Sequence, residues 1–553
     1  MKILENISSG YKRIATGIAI VAFLSMLYLA MIPGASVAYI YGPAGGVISG
    51  AFVFIKEWPQ YNDTTATDGS YAIEQMPIGE YTFVVAGNDS VAPYIAPINV
   101  TVGNNNLPDI TLSPAIKYYV PFLYQREDHL GFDYDSALQI QNGGTENATV
   151  EIAFYNPSDG MIAGNDFLKI KPNELLIKRP FELMTPRSIY YGPMFVKSDS
   201  TVQVQGYIKT ISQDVYSLGP SFTSASTTAY VPYVYQRTDH IGFDYDGGFQ
   251  VFNPGDLSTN VDIKLYYING TLAGNRTFLV GPRSESLSKI TDILPGVIMF
   301  YGAAEITSQQ PIVAQSYIRT TATNIYSIAP SLNSKVTTAY IPFNYHRTDH
   351  IGFDYDGGFQ IFNPGDVSTN VDIKLYYMNG TLAGNRTYLV GPKADSLSKI
   401  PDIIPGQTIY FGAAEITSEQ PIVAQGYIRT TATNVYSVAP QVTKPGSPID
   451  IHIPLLYSTK NVTHDGGIQV MNANNLQANI NITLYYSNGT FAGRQSKVLN
   501  PNEQAGPKVF DIAPNSIDFM GYAIVSSDIP VVAQGFIRTK ASNIYSIAPP
   551  VER

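Results

Sequence analysis

Three loops at matching positions carry the residue types that could do chemistry. Arg126-Glu127-Asp128-His129 is followed by Asp133 and Asp135, Arg237-Thr238-Asp239-His240 by Asp244 and Asp246, and Arg347-Thr348-Asp349-His350 by Asp354 and Asp356. Carboxylates gathered on one loop can hold Ca²⁺ through hard oxygen ligands, so Asp239, Asp244, Asp246, Asp349, Asp354 and Asp356 are candidate calcium ligands. The spacing is not that of an EF-hand, and imidazole is a poor ligand for Ca²⁺. A solvated loop, or one hydrogen-bonded to a neighbouring repeat, is the stronger expectation. The fourth copy keeps only His464-Asp465-Gly466-Gly467. A loop dropped by the last copy suits a contact with the next unit better than a substrate.

A second row is Gln315, Tyr317 and Arg319, with equivalents Gln425, Tyr427, Arg429 and Gln534, Phe536, Arg538. Planar polar groups beside aromatic rings can stack on and hydrogen-bond sugars; the plainer expectation is a half-exposed strand whose Arg pairs with a neighbour. Hydrolytic constellations are missing from the sequence: there is no Gly-x-Ser-x-Gly, no His-Glu-x-x-His and no Cys. Near-identical Asp-His pairs in successive repeats also suit multivalency better than catalysis, which needs one preorganised site. An enzyme is not expected, and neither is a cofactor.

The elements that must position these residues are repeats. Gln310 to Pro330 reads QPIVAQSYIRTTATNIYSIAP, returns as QPIVAQGYIRTTATNVYSVAP at Gln420 to Pro440, and recurs in altered form ending at Pro220 and Pro549. A spacing of about 110 residues is the size of a small domain. The chain therefore divides into a leader at 1–38, a module at 39–116 and four repeats at 117–228, 229–338, 339–447 and 448–553. In Thr259 to Tyr267, Val261, Ile263, Leu265 and Tyr267 alternate with Asp262, Lys264 and Tyr266, the period of a strand with one buried face. Ile312, Ala314 and Ile318 alternate with Val313, Gln315, Tyr317 and Arg319 in the same way. The fold class is all-β: tandem β-sandwiches of about seven strands, immunoglobulin-like, after an N-terminal transmembrane or signal helix. Short polar linkers at 221–228, 332–338 and 443–447 favour a stiff rod. The two middle repeats differ at about one position in five and are expected to share one strand order.

Composition narrows the partners. With 34 basic against 44 acidic residues, no basic patch marks a nucleic-acid binder, and nucleic acid is excluded as a partner. Lys12-Arg13 precede the apolar run Ile14 to Ile32, then Pro33-Gly34 and Ala35-Ser36-Val37-Ala38. That run is either a signal peptide or an anchor that holds the membrane through residues 14–32 if uncleaved, and it places the bulk of the chain outside the cytoplasm. Sequons agree with export: Asn62, Asn88, Asn99, Asn147, Asn269, Asn275, Asn379, Asn385, Asn461, Asn481 and Asn488 are candidate glycan acceptors. Asn269-Gly270, Asn379-Gly380 and Asn488-Gly489 sit between apolar alternations, where Asn-Gly makes a tight hairpin turn and so an exposed loop tip.

The module resembles a known family. Gly50-Ala51-Phe52-Val53, Thr67-Asp68-Gly69-Ser70-Tyr71 and Met76-Pro77-Ile78-Gly79-Glu80-Tyr81 are similar to the carboxypeptidase regulatory-like family, although the segment before Gly50 is shorter than usual. That resemblance implies a transthyretin-like sandwich, an accessory module of exported proteins with a carbohydrate-binding-like fold. It does not imply peptidase activity, because the family's zinc-binding catalytic domain has no counterpart here. The repeats resemble exported β-sandwich repeats of prokaryotic surface proteins, through the Ile468 to Asn472 strand, the Leu-Tyr-Tyr-x-Asn-Gly-Thr hairpin and the Gly302 to Gln315 pair. Together these imply a cell-surface structural protein, a coat, filament or stalk component whose partners are other surface proteins or itself. The alternative is a carbohydrate-binding or adhesive protein, with glycans as partners. Only 14% of residues are charged and 40 are Tyr. A surface that uses hydroxyls and amides in place of ion pairs suggests tolerance of acid.

Overall fold

The computed structural model describes residues 37–74, 76–101, 107–128, 133–184, 189–239, 244–350, 354–460, 463–548 and 551–552. The leader 1–36, and with it the anchor at 14–32, lies outside the described residues. No described helix is long and apolar enough to cross a membrane.

The chain is all-β. The N-terminal module stacks a three-stranded sheet (Ser70–Tyr71, Ala38–Tyr41, Ile110–Thr111) on a four-stranded one (Asn62–Thr64, Phe52–Ile55, Gly79–Ala86, Tyr94–Val100). Ile40, Val53, Ile55, Tyr71, Phe83 and Val85 fill the space between them. Gly69 turns at φ 80°, as the Asp-Gly turn requires.

Each repeat is a sandwich of eight strands. In the fourth unit they are Ile451–Thr459, His464–Met471, Ala478–Tyr486, Phe491–Leu499, Gln504–Ala505, Asp518–Ser527, Val532–Thr539 and Ile544–Ala548. Numbered by position in the unit, their orders are 4-3-6-1 in one sheet and 5-2-7-8 in the other. Both differ from the A-B-E-D and C-F-G sheets of an immunoglobulin domain. In the second and third units the sixth and seventh strands are one continuous strand, Met299–Thr320 and Ile409–Thr430, that runs through both sheets, and the two units share one strand order. The core lies between the sheets, with Val261, Ile263, Leu265, Ile306, Ile312 and Ala314 in the second unit.

The rod expected from the linkers is not what forms; the four units close into a ring. Their eighth strands lie side by side around a common axis, each touching its two neighbours, and Val215, Ile325, Val435 and Ile544 make one apolar cluster there. A cycle of hydrogen bonds runs around it. Ser217 Oγ donates to the Tyr326 carbonyl, Ser327 to Tyr436, Ser437 to Tyr545, and Ser546 back to Tyr216. A second cycle lies farther out, where each hairpin between the third and fourth strands meets the next unit. The backbone N–H of Glu285 donates to Pro157, Asp395 to Ile268, Gln504 to Met378 and Leu175 to Ser487, at 2.8–3.0 Å. The linkers are not spacers, since Phe222, Leu332 and Val442 each bridge back to a first strand.

Ring closure corrects two expectations about faces. Val313, Gln315 and Tyr317 are as buried as Ile312 and Ala314, because the second face of the seventh strand packs on the neighbouring unit. Tyr266 is buried and Tyr267 is 42% exposed, the reverse of the simple alternation. A register shift between Leu265 and Tyr266 turns the pair over, and Tyr266 then packs with Tyr230 and Ala303 against Phe362 and Val423 of the third unit.

The ring predicts a compact particle. Small-angle scattering of the intact chain should give a radius of gyration of about 24 Å, the value for a compact chain of this length, whereas five sandwiches in a row would give roughly twice that.

Candidate functional site

The six candidate calcium ligands do not converge. Asp239 and Asp349 each pair with the Arg two residues earlier, at 2.7 Å from Arg237 and 2.6 Å from Arg347. Asp246 holds Lys289 at 3.2 Å and Arg319 at 3.1 Å, and Asp356 holds Lys399 and Arg429, both at 3.2 Å. Asp465 of the fourth unit does the same with Lys508 and Arg538. These carboxylates clamp the second strand of a unit to its fifth and seventh strands. The backbone carbonyls of Asp244 and Asp354 accept from Thr321 and Thr431, and the His350 N–H donates to Asp354 Oδ1 at 3.0 Å. Among the described residues no group of three His, Cys, Asp or Glu is placed to hold a metal ion. His129 and His240 lie outside the described residues. Side-chain cations thus neutralise four of the six carboxylates, Asp239, Asp246, Asp349 and Asp356. We expect a chelator to leave the melting temperature unchanged and Asp356→Asn to lower stability by about 1 kcal/mol, through the loss of its pairs with the partly exposed Lys399 and Arg429; differential scanning calorimetry reads both.

The Gln-Tyr-Arg row is not an exposed edge. Gln425 Nε2 donates to the Pro330 carbonyl of the preceding unit at 3.0 Å, and Gln534 to Pro440 at 2.9 Å. Tyr427 stacks on Tyr233 at 5.7 Å and Phe536 on Phe343 at 5.0 Å. The row therefore lines the seams between units. Tyr134 and Tyr245 carry the same theme, donating to the Asn324 and Asn434 carbonyls of the following unit. Burial raises Tyr134 to about 12, so it stays neutral and keeps its donor. In the fourth unit His464 takes that place, with Nε2 2.8 Å from the Asp214 carbonyl of the first unit.

The glycan candidates sit mostly where an acceptor must. Asn62, Asn88, Asn99, Asn147, Asn269, Asn275, Asn379, Asn385 and Asn488 are exposed, and Asn481 is half-buried. Asn461 lies outside the described residues. The hairpin tips are less free than expected. Asn269 Oδ1 accepts from the Thr271 N–H in a tight turn, while Gly270, at φ 85°, presses so close to the next unit that a Cβ would stand 2.3 Å from the Pro392 oxygen.

What sequence reasoning missed is a cleft between the first and second units, about 230 Å³ in volume. Phe122, Tyr124 and Tyr191 line one wall, and Leu287, Tyr317 and Tyr326 the other. The clamp of Asp246, Lys289 and Arg319 borders it. Only the pairing of units brings these walls together, so spacing within one repeat held no signal for it.

Beside this seam a carboxyl is buried without a compensating charge. Burial drives Glu285 far above the ordinary carboxyl range, and its Oε2 has no hydrogen-bond partner. Asp395, at the same place in the third unit, is also driven up by burial, which outweighs its backbone hydrogen bonds to Ser396 and Ile361. Such groups leave stability intact while pH is below the unfolded carboxyl value, and that stability is lost as pH rises toward the folded one. Buried His346 and His464 are pushed down by burial, so their contribution holds above the ordinary imidazole range and is lost as pH falls. Burial would raise Asp465, but Lys508, Arg538 and Lys540 outweigh it and hold it low, so its contribution too is lost in acid. The pH dependence of stability therefore rests on opposed contributions. The fourth unit already has Gln504 at the Glu285 position, donating to Tyr376 O at 3.1 Å. Glu285→Gln should add about 1–2 kcal/mol at pH 8 and nothing near pH 4, a difference that thermal melts across pH resolve.

No family model matches the chain, and no curated protein matches it. Among solved structures, the Streptomyces avermitilis alpha-L-rhamnosidase complexed with L-rhamnose is similar at 9% identity, over 78% of this chain and 56% of that one, with a TM-score of 0.13. The chain thus spans little more than half the length of that protein. A BSP domain of a biofilm associated protein is similar at 9% identity over 78% of this chain and 96% of that one, also with a TM-score of 0.13. Likenesses at this level carry no argument about fold or function.

Proposed function

We propose that this chain is an exported, non-catalytic building block of a cell surface, a coat, filament or stalk component held or delivered by its N-terminal segment. The observation that carries the reading is a repeated outward set of apolar side chains. Leu257, Val367 and Leu476 occupy one position in the second, third and fourth units and are 66%, 64% and 69% exposed. Leu279, Leu389 and Val498 occupy another, and all are at least half exposed. Single exposed leucines are ordinary, but the same ones repeated around a ring give evenly spaced contact points for lateral packing. The outer edges of the units support one open side. The fourth strand of the first unit is covered by the module, where Phe54 meets Phe167 at 5.4 Å. In the second and third units this strand carries the sequons Asn275 and Asn385. In the fourth unit Phe491–Leu499 has neither.

Sedimentation and electron microscopy of the intact protein test the proposal. Concentration-dependent assembly that is lost in the triple variant Leu257→Asp, Val367→Asp, Leu476→Asp is the expected result. A chain that stays monomeric at every concentration and binds a glycan array would support the adhesive alternative and sink the building-block reading.

A further inference from the structure

We infer that the cleft between the first and second units is a binding site for a single pyranose ring, a function beyond that of a building block. The other seams supply the comparison. In the seam between the second and third units the equivalent of Tyr191 is Tyr301, which packs inward at 5.8 Å from Tyr233 and 5.6 Å from Tyr235. In the next seam Phe411 fills the same place, 5.6 Å from Phe343 and 5.5 Å from Tyr345. Tyr191 is instead 51% exposed and has no ring partner among the described residues. The space its counterparts fill is left open.

In the seam between the second and third units a hydrogen bond accompanies the inward position. The side-chain amide of Gln360 is oriented so that its carbonyl accepts from Tyr301 and its nitrogen faces Asp395, which draws the Tyr301 ring inward. Gln425 leaves Gln360 available because it is turned to the Pro330 carbonyl. In the first seam Gln315 Nε2 donates to Gln250 Oε1 at 3.3 Å, so the amide that would receive Tyr191 is engaged.

The lining fits a sugar. A pyranose presents a face of C–H bonds and a rim of hydroxyls; Tyr124, Tyr317 and Tyr326 offer ring surface for the face, and Tyr191 stands free to close over it. For the rim, both cations of the clamp meet Asp246 on Oδ2, which leaves Oδ1 to accept from a hydroxyl. Lys289 is 43% exposed along its side chain and has protons to donate beyond the one it gives Asp246. The volume admits one ring rather than a chain.

The test is saturation-transfer NMR on the intact protein with the methyl pyranosides of glucose, galactose and mannose. At least one should receive saturation, and Tyr191→Ala and Lys289→Met should each weaken its binding by about fivefold or more. Lys399→Met, which breaks the same ion pair in the next seam, should leave binding unchanged. Absence of transfer to every pyranoside overturns the proposal, as does equal loss in the Lys289 and Lys399 variants.

Discussion

A strand buried on both faces needs a body on each side of it. Here that strand is the seventh of each unit, whose one face fills the unit's own core while the other, carrying Val313, Gln315 and Tyr317 in the second unit, lies against a neighbour. A sandwich can cover only one of these faces by itself. Four units arranged in a circle cover every second face, and closure means that no unit is terminal. Open solenoids need capping repeats with a polar outer side; a ring does not.

The four seams are not equal, and the difference follows the order of synthesis. Three are apolar: Tyr155 and Phe195 against Phe252 and Val313, then Tyr230 and Tyr266 against Phe362 and Val423, then Tyr340 and Tyr376 against Met471 and Val532. In the closing seam Gln141 and Gln203 stand where Phe252 and Val313 stand in the second unit, and His452 meets Gln141 at 2.9 Å. The first unit leaves the ribosome with this face uncovered and waits for the fourth to reach it. An apolar face exposed for that interval would invite aggregation. Amides and an imidazole replace apolar side chains on the outer part of that face, while Tyr207, Tyr216 and Leu218 of the first unit still pack into the fourth unit's core.

Much of this was legible in the sequence, and the limits have physical causes. The repeats, the all-β class and the inward Val261, Ile263 and Leu265 follow from spacing and period alone, because burial within one unit is a local property. The ring was not legible, since period two shows that a strand has two faces and not what covers the second. Gln315, Tyr317 and Arg319 looked exposed because they are polar, yet the side-chain N–H of each equivalent Gln donates to a carbonyl or amide across a seam or strand. The clamp on Asp246 and Asp356 was not legible either, because the Lys and Arg that neutralise them lie 43 and 73 residues away. Low charge had suggested few ion pairs; the charges present are instead concentrated where strands must be held in register.

Departures from fourfold repetition mark where something other than packing has shaped the chain. The second and third units are near copies, while the first has lost the Lys of the clamp, with Arg179 reaching Asp135 at 2.9 Å in its place and Lys209 turned to Asp214. It also carries the module, which does more than cover an edge. Arg283 of the second unit reaches Asp89 of the module at 2.7 Å, Asp256 at 2.8 Å and the Tyr155 hydroxyl of the first unit at 3.1 Å. Three bodies thus meet at one guanidinium, whose planar fork suits such a junction. The seam it braces is the one with the open cleft. The module thus ties both sides of that gap from outside.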